Sequence, residues 1–417
     1  MACRAQTPRR RHKIRMTYPL PSPQMTPNSQ QTYNIEQAVR DRYAEGARAV
    51  QPLLCCPTDG YDGRYLAMLP DEIIDKDYGC GDPTRYVQEG DIVVDLGSGA
   101  GKNCYIMAQK VGASGQVIGV DINDAMLDLS RSYLDEMAQK MGYHNTKFVR
   151  GKIQDLALDL DRLNAWIAGN PVNSIQDLTA LEQECDRIRR EMPLIPSDNV
   201  DVVVSNCVLN LVKPQDKAQL FNEIFRVLKR GGRAVISDIV CDEVPTPAMM
   251  NDPELWSGCI SGAFLETEFL ERFEQAGFHG IEILARQEEP WQTIDGIEFR
   301  SLTVRAYKGK QGPCLERNQA VIYKGPWKSV QDDDGHTLLR GERMAVCDKT
   351  FKLYTDPNGP YSEQMIAIEP YDAIDLSAAP HFNCAQDSLR HPRITKGLDY
   401  NLTTEASDCC APGGEDC

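Results

Sequence analysis

A chain of 417 residues, 41% hydrophobic and 25% charged, is long enough for two or three domains, each with its own core. No run approaches the ~18 apolar residues that span a bilayer, so no transmembrane helix and no membrane partner are expected. Lys+Arg 45 against Asp+Glu 61 gives a net charge of −16, which repels phosphate backbones at long range and argues against a nucleic-acid partner.

In chain order, the first fifteen residues are basic, carry no acidic side chain and contain no apolar stretch of the kind a signal peptide needs. Residues 1–50 are read as a disordered arm, with one helix possible over Ile35 to Val50. From Asp91 short apolar runs alternate with longer amphipathic stretches, the pattern of βα units on a parallel sheet. The predicted strands are Ile92 to Leu96, Val117 to Val120, Lys147 to Val149, Val200 to Val204 and Arg233 to Ile239. The predicted helices are Asn103 to Lys110, Asp124 to Met141 and Gln215 to Leu228, the last ended by Lys229, Arg230, Gly231 and Gly232.

Gly169 to Met192 interrupts this order. Leu178, Leu181, Cys185 and Ile188 share a helical face there, which predicts an extra helix on the rim of the sheet with Cys185 in its core contact. After Val244 three prolines break the pattern, and a helix over Glu266 to Ala276 precedes strands Ile281 to Leu284 and Phe299 to Ala306. Short strands and turn signals at Asp334, Gly335 and Asn358, Gly359 mark a further region from Gln319 to about Ile374. The expected divisions are an arm (1–50), a nucleoside-binding α/β domain (51–245), a smaller α+β region (246–315), a mostly β C-terminal domain (316–400) and a cysteine-bearing tail (401–417).

Asp95, Leu96, Gly97, Ser98, Gly99, Ala100, Gly101 follow a strand and open a helix, where glycines let backbone approach a ligand. The spacing is GxGxG rather than the GxGxxG of a pyrophosphate loop, and an acid ahead of the glycines suits an ammonium better than a phosphate. Asp121 ends the next strand, where a carboxylate can accept both ribose hydroxyls. Two acids without a phosphate-binding lysine point to S-adenosylmethionine and a doubly wound, Rossmann-like class I methyltransferase domain. Gly151, Lys152 and Ile153 are expected to wall the adenine.

The 15 cysteines are an odd number in a chain too long to need disulfide staples, which predicts a reducing, cytoplasmic setting and free thiols. Cys80 in DYGCGDP, Cys207 in SNCVLNLV and Cys259 in WSGCISGAF fall at strand ends or loops on the carboxyl side of the expected sheet. Each alone is a common small buried hydrophobe. Zinc would want four ligands in short spacing, which these lack.

Together, VVDLGSGAGKNCYI, DYGCGDP, VVVSNCVLNLV, LWSGCISGAF and FRSLTVRAYK resemble the arsenite S-adenosylmethionine methyltransferase family from about Cys55 to Pro370. The resemblance implies that Cys80, Cys207 and Cys259 bind trivalent arsenic and that Cys55 or Cys56 is a fourth functional thiol. It also implies a cofactor site of Tyr78, Asp95, Gly97, Ser98, Gly99, Gly101, Asp121, Ile122, Ile153 and Asn206. Arsenite and methylarsenite would be the substrates and glutathione or thioredoxin the reductant, on a monomer. The chemistry is consistent, since trivalent arsenic prefers thiolate and keeps a lone pair as nucleophile, with no proton for a general base to remove. The Gly169 to Met192 insertion and the paired Cys55, Cys56 depart from the family pattern, and Cys409, Cys410 and Cys417 resemble the cysteine-rich tails of some members. A small-molecule C-methyltransferase of the quinone-biosynthesis type, in which the three cysteines are inert core, is the competing expectation. A protein that only sequesters the metalloid is a third, and would have no use for a nucleoside pocket.

Overall fold

The structure, a computed structural model, describes residues 35–51, 60–396 and 403. Cys55 and Cys56, the arm before residue 35 and the tail cysteines lie outside the described residues. Helix α1 (Ile35–Arg48) comes first, then the short helices α2 (Gly63–Leu66) and α3 (Asp71–Asp75). The α/β unit follows as β1 (Ile92–Leu96), α4 (Lys102–Val111), β2 (Gln116–Asp121), α5 (Asp124–Ser132), α6 (Leu134–Met141), β3 (Thr146–Arg150), α7 (Leu160–Gly169), α8 (Ile175–Glu191), β4 (Val200–Asn206), α9 (Lys217–Val227) and β5 (Leu228–Cys241). The five strands run parallel in the order β3-β2-β1-β4-β5. Their cores are almost wholly apolar because helices cover both faces.

Beyond it come α10 (Pro247–Met250), α11 (Pro253–Ser257), β6 (Phe264–Leu265), α12 (Glu266–Gln275), β7 (His279–Arg286), β8 (Gln292–Ile294) and β9 (Ile297–Tyr307). These strands do not form a sheet of their own. β9 pairs antiparallel with β5 from Arg233↔Tyr307 to Cys241↔Phe299, and β7 pairs with β9, so residues 246–307 complete the central sheet. The expected division at 245 is therefore crossed by an unbroken hydrogen-bond ladder. Phe221 of α9 meets Phe264, Phe269 and Phe273 edge to face and locks the two segments together.

The C-terminal portion has its own small sheet, with β10 (Ala320–Tyr323) between β13 (Arg343–Ala345) and β14 (Met365–Ile368). A hairpin of β11 (Ser329–Gln331) and β12 (Thr337–Leu339) turns at the predicted Asp334, Gly335. Helix α13 (Asp348–Thr355) covers the sheet, and α14 (Pro392–Lys396) ends the described region.

Several helices differ from expectation. The single helix over Asp124 to Met141 breaks at Tyr133 into α5 and α6. The Lys229 to Gly232 run opens β5 instead of following α9 as a coil, and Gly231 adopts φ 86° at the β4/β5 register shift. The insertion forms one helix, α8, and a further helix, α7, leads into it. Of the expected apolar face of α8, Ile188 is buried and Leu181 and Cys185 are half-buried, and Leu178 alone is exposed, at 47%. Helix α7, whose pattern the sequence does not announce, packs against α8. Among the described residues no helix is long and apolar enough to cross a membrane.

Candidate active site: two cavities sharing one thiol

Strand order reverses between β1 and β4, the place where open α/β sheets bind ligands. Gly97 (φ 70°) and Gly99 (φ 50°) turn the chain there in conformations that favour glycine. A Cβ on Gly97 would lie 2.5 Å from Val208 Cγ1. The cavity over this turn is lined by Gly97, Ser98, Gly99, Asp121, Ile122 and Asn206 below and by Glu36, Val39, Arg40 and Tyr43 of α1 above. Tyr78, Gly151, Lys152 and Ile153 also line it. Asp121 accepts from Gly99 N–H (2.9 Å) and Asn123 N–H (2.8 Å), which fixes its carboxylate at the end of β2. The buried Ser98 Oγ has no hydrogen-bond partner, and a Cβ on Gly99 would meet open space. A polar cradle with an acid at the neighbouring strand end fits a nucleoside.

Two predicted cofactor residues do not line this space. Asp95 is 1% exposed and accepts from the Cys104 thiol of α4 at 3.2 Å, and burial raises its pKa to about 7. Gly101 opens α4 against Phe148. Asp77 does line the cavity, in an ion pair with the buried Lys102 (2.6 Å), and was missed because nothing in its sequence context marks it.

The second cavity adjoins the first. Cys80, Cys207 and Cys259 all line it, together with Tyr61, Trp291 and Thr303. Cys207, Tyr43 and Tyr78 line both cavities, so the Cys207 thiol stands in the shared wall. Cys207 (φ 64°) and Cys259 (φ 65°) are both left-handed, a conformation uncommon outside glycine and typical of strained functional positions. Each bend has a visible restraint. Cys207 N–H donates to Ser237 O (2.8 Å), and buried Asp238 accepts from Leu209 N–H (2.8 Å) just beyond it. Asn210 Nδ2 donates to Cys259 O (3.2 Å), and the Cys259 thiol donates to Cys207 O (3.1 Å).

Cys80 arrives from a different segment and is pinned by Asn206, whose Oδ1 accepts from Cys80 N–H (2.8 Å) and Gly81 N–H (3.1 Å). A side chain on Gly79 would run into that same amide. Asn206 thus lines the first cavity while positioning a thiol of the second. Cys207 interacts with the sulfurs of both Cys80 and Cys259, although the three do not all lie within 4.8 Å of one another. Burial raises the Cys80 thiol and holds Cys207 well above the usual range, so both are protonated at neutral pH.

Helix α1 closes over both cavities. Arg42 donates to Glu254 O (2.8 Å) and Ser257 Oγ (2.7 Å) of α11, Asn123 Nδ2 donates to Arg40 O (2.9 Å), and Glu36 pairs with Lys213 (3.1 Å) and Lys152 (3.7 Å). The sequence allows this helix, over Ile35 to Val50, but gives it no part in the site. The spacing Ile35, Val39, Tyr43 was the available signal of an apolar face.

A family profile described as a methyltransferase domain matches residues 88–195 and 184–277, and one described as a domain of unknown function (DUF8838) matches 310–400. The chain is similar to the arsenite methyltransferase of Aquipseudomonas alcaligenes, at 28% identity over 83% of this chain and 89% of the relative. It is similar to the Mus musculus arsenite methyltransferase at 29% over 70% and 72%. The crystal structure of CrArsM, an arsenic(III) S-adenosylmethionine methyltransferase from Chlamydomonas reinhardtii, superposes with a TM-score of 0.51 at 26% identity, covering 78% of this chain and all of that one. The chain is thus similar to arsenite methyltransferases over most of its length. It is an S-adenosylmethionine-dependent enzyme with a class I methyltransferase fold and a strand-rich C-terminal region. The paired cavities are what distinguish the site from a methyltransferase pocket built on the nucleotide fold alone.

Proposed function

We propose that this enzyme methylates trivalent arsenic held by Cys80, Cys207 and Cys259. The observation that carries the reading is that Cys207 lines both the nucleoside-type cavity and the three-thiol cavity. Arsenite and methylarsenite are the substrates. Each thiol passes its proton to a departing arsenic hydroxyl, so sulfur replaces oxygen and the lone pair is left as the nucleophile. Thiolate ligation suits this soft centre. S-adenosylmethionine supplies an electrophilic methyl group. Asp121, Ile122, Ile153 and the Gly97–Gly99 turn would hold the nucleoside, and adjoining cavities would let acceptor and donor approach to near-attack range, ~3 to 3.5 Å. Asn206 and the two left-handed cysteines keep the thiols in place, and α1 excludes water from both sides.

Methylation leaves arsenic two electrons poorer, so turnover needs a thiol reductant, glutathione or thioredoxin, in a reducing compartment such as the cytoplasm. Cys55 or Cys56 would serve as the fourth, redox-active thiol of a monomeric detoxification enzyme. The deciding experiment incubates the protein with arsenite, S-adenosylmethionine and glutathione and speciates arsenic over time. Mono- and dimethylarsenic are expected in wild type and in neither Cys207→Ser nor Cys259→Ser. Methylated product from either variant overturns the three-thiol reading.

A further inference from the structure

A second group of three cysteines sits in the C-terminal portion, in loops and turns outside its small sheet. The sulfurs of Cys314, Cys347 and Cys384 all lie within 4.8 Å of one another, and among the described residues no histidine or carboxylate joins the group. Three separate segments bring them together. Leu315 bridges His381, Phe382 N–H donates to Cys314 O (2.9 Å), and Asp348 N–H donates to Leu315 O (2.8 Å). Backbone hydrogen bonds beside each cysteine therefore hold the triangle, whether or not anything fills it.

Its surroundings favour sulfur as a ligand. Cys347 is the N-cap of α13 and accepts from Thr350 N–H (3.4 Å), so the positive end of an eight-residue helix faces one thiol. Lys349 interacts with the Cys314 sulfur. Cys347 is buried while Cys314 and Cys384 are half-buried, which leaves an approach from solvent.

We infer that Cys314, Cys347 and Cys384 form a second binding site for a trivalent thiophilic metalloid, separate from the methyl-transfer site. Three sulfurs, with no fourth donor among the described residues, match the pyramidal coordination of trivalent arsenic or antimony, whereas structural zinc takes four. Arsenite binds as As(OH)3. Three S–H protons leave with three hydroxyls as water, three As–S bonds replace three As–O bonds, and arsenic stays trivalent. The product is neutral, so the half-buried site needs no counter-ion. The short strands of this portion bury a small core, and a three-way crosslink would add stability of the kind metals give small domains.

The test uses the full-length, fully reduced chain. After arsenite loading and desalting, bound arsenic is counted by mass spectrometry in wild type, Cys207→Ser, Cys384→Ser and the double variant. The expected result is loss of about one arsenic per chain on Cys384→Ser, in the wild-type and Cys207→Ser backgrounds alike. Cys347→Ser gives the same loss with the helix cap preserved, since serine is a preferred N-cap, and circular dichroism checks the fold. X-ray absorption on the Cys207→Ser chain should contain a sulfur-coordinated arsenic that disappears with Cys384→Ser. Equal arsenic in wild type and Cys384→Ser overturns the inference, as does occupancy by zinc when zinc and arsenite are offered together. Methylation by Cys384→Ser reports separately on the proposed reaction, so failure of one reading leaves the other standing.

Discussion

Cys207 and Cys259 hold a backbone conformation that costs an ordinary residue about 1 to 2 kcal/mol. At position 207 the usual ranking of small residues should therefore invert. Cys207→Gly is expected to be more stable than Cys207→Ala by about 1 kcal/mol, read as a shift in urea midpoint, while neither variant methylates arsenite. An alanine variant as stable as the glycine one would mean that the φ of 64° carries no strain. Cys80 is different in kind, since a hydrogen bond to Asn206 places it rather than its own backbone bend. Methylarsenite already has carbon at one position and needs only two thiolates. Cys80→Ser is expected to lose activity on arsenite and keep it on methylarsenite, and a variant that fails equally on both would make Cys80 an obligatory ligand throughout.

Asp95 and Asp238 offer a pH signature. Burial lifts both carboxyls to about 7 in the folded chain, whereas they ionise near 4 when unfolded. Between those values the folded state binds more protons, so stability falls as pH rises through the window, by at most about 1.4 kcal/mol per pH unit for each group. The melting temperature should drop from pH 5 to pH 7.5, and Asp95→Asn should flatten the slope. The same burial explains why Asp95 is unreadable as a solvent-facing ligand from sequence. Its place before the glycines is a one-dimensional fact, and the turn of its side chain toward Cys104 is a three-dimensional one.

At the scale of elements, α1 joins two sites that the sequence separates widely. Arg42→Ala removes its bonds to α11, each worth about 1 to 2 kcal/mol when a charge is involved. The expected result is a several-fold rise in the KM for arsenite together with a lowered melting temperature, and an unchanged KM would dissociate α1 from the thiol cavity. The sheet strands were legible because parallel strands covered on both faces read as apolar runs. The three cysteines were legible from their local contexts. The role of α1 was not, because an amphipathic stripe says that a face is buried and not against what. The α8 face was legible at Leu181, Cys185 and Ile188, whereas Leu178, one turn earlier at the same helical spacing, faces water, as does Ile175. Ile188→Ala should cost about 2 to 4 kcal/mol and Ile175→Ala less than about 0.5 kcal/mol, by thermal or urea unfolding.

Across the described molecule, the ladder between β5 and β9 makes the α/β unit and the segment through Tyr307 a single folding problem. A fragment of residues 35–245 leaves β5 as a bare apolar edge, a template for aggregation. It is expected to be insoluble or molten, whereas residues 35–310 should fold cooperatively, with gel filtration and near-ultraviolet dichroism as the readout. A well-folded shorter fragment would show that the antiparallel strands are an appendage.

The thiol in the wall between the cavities also sets the order of events at the bench. If arsenic and S-adenosylmethionine take the two cavities that Cys207 lines, neither reactant has to vacate its place before the other enters, and no methyl group is parked on the protein in between. Initial rates measured against both substrates should give intersecting reciprocal plots, the mark of a ternary complex, and parallel lines should not occur.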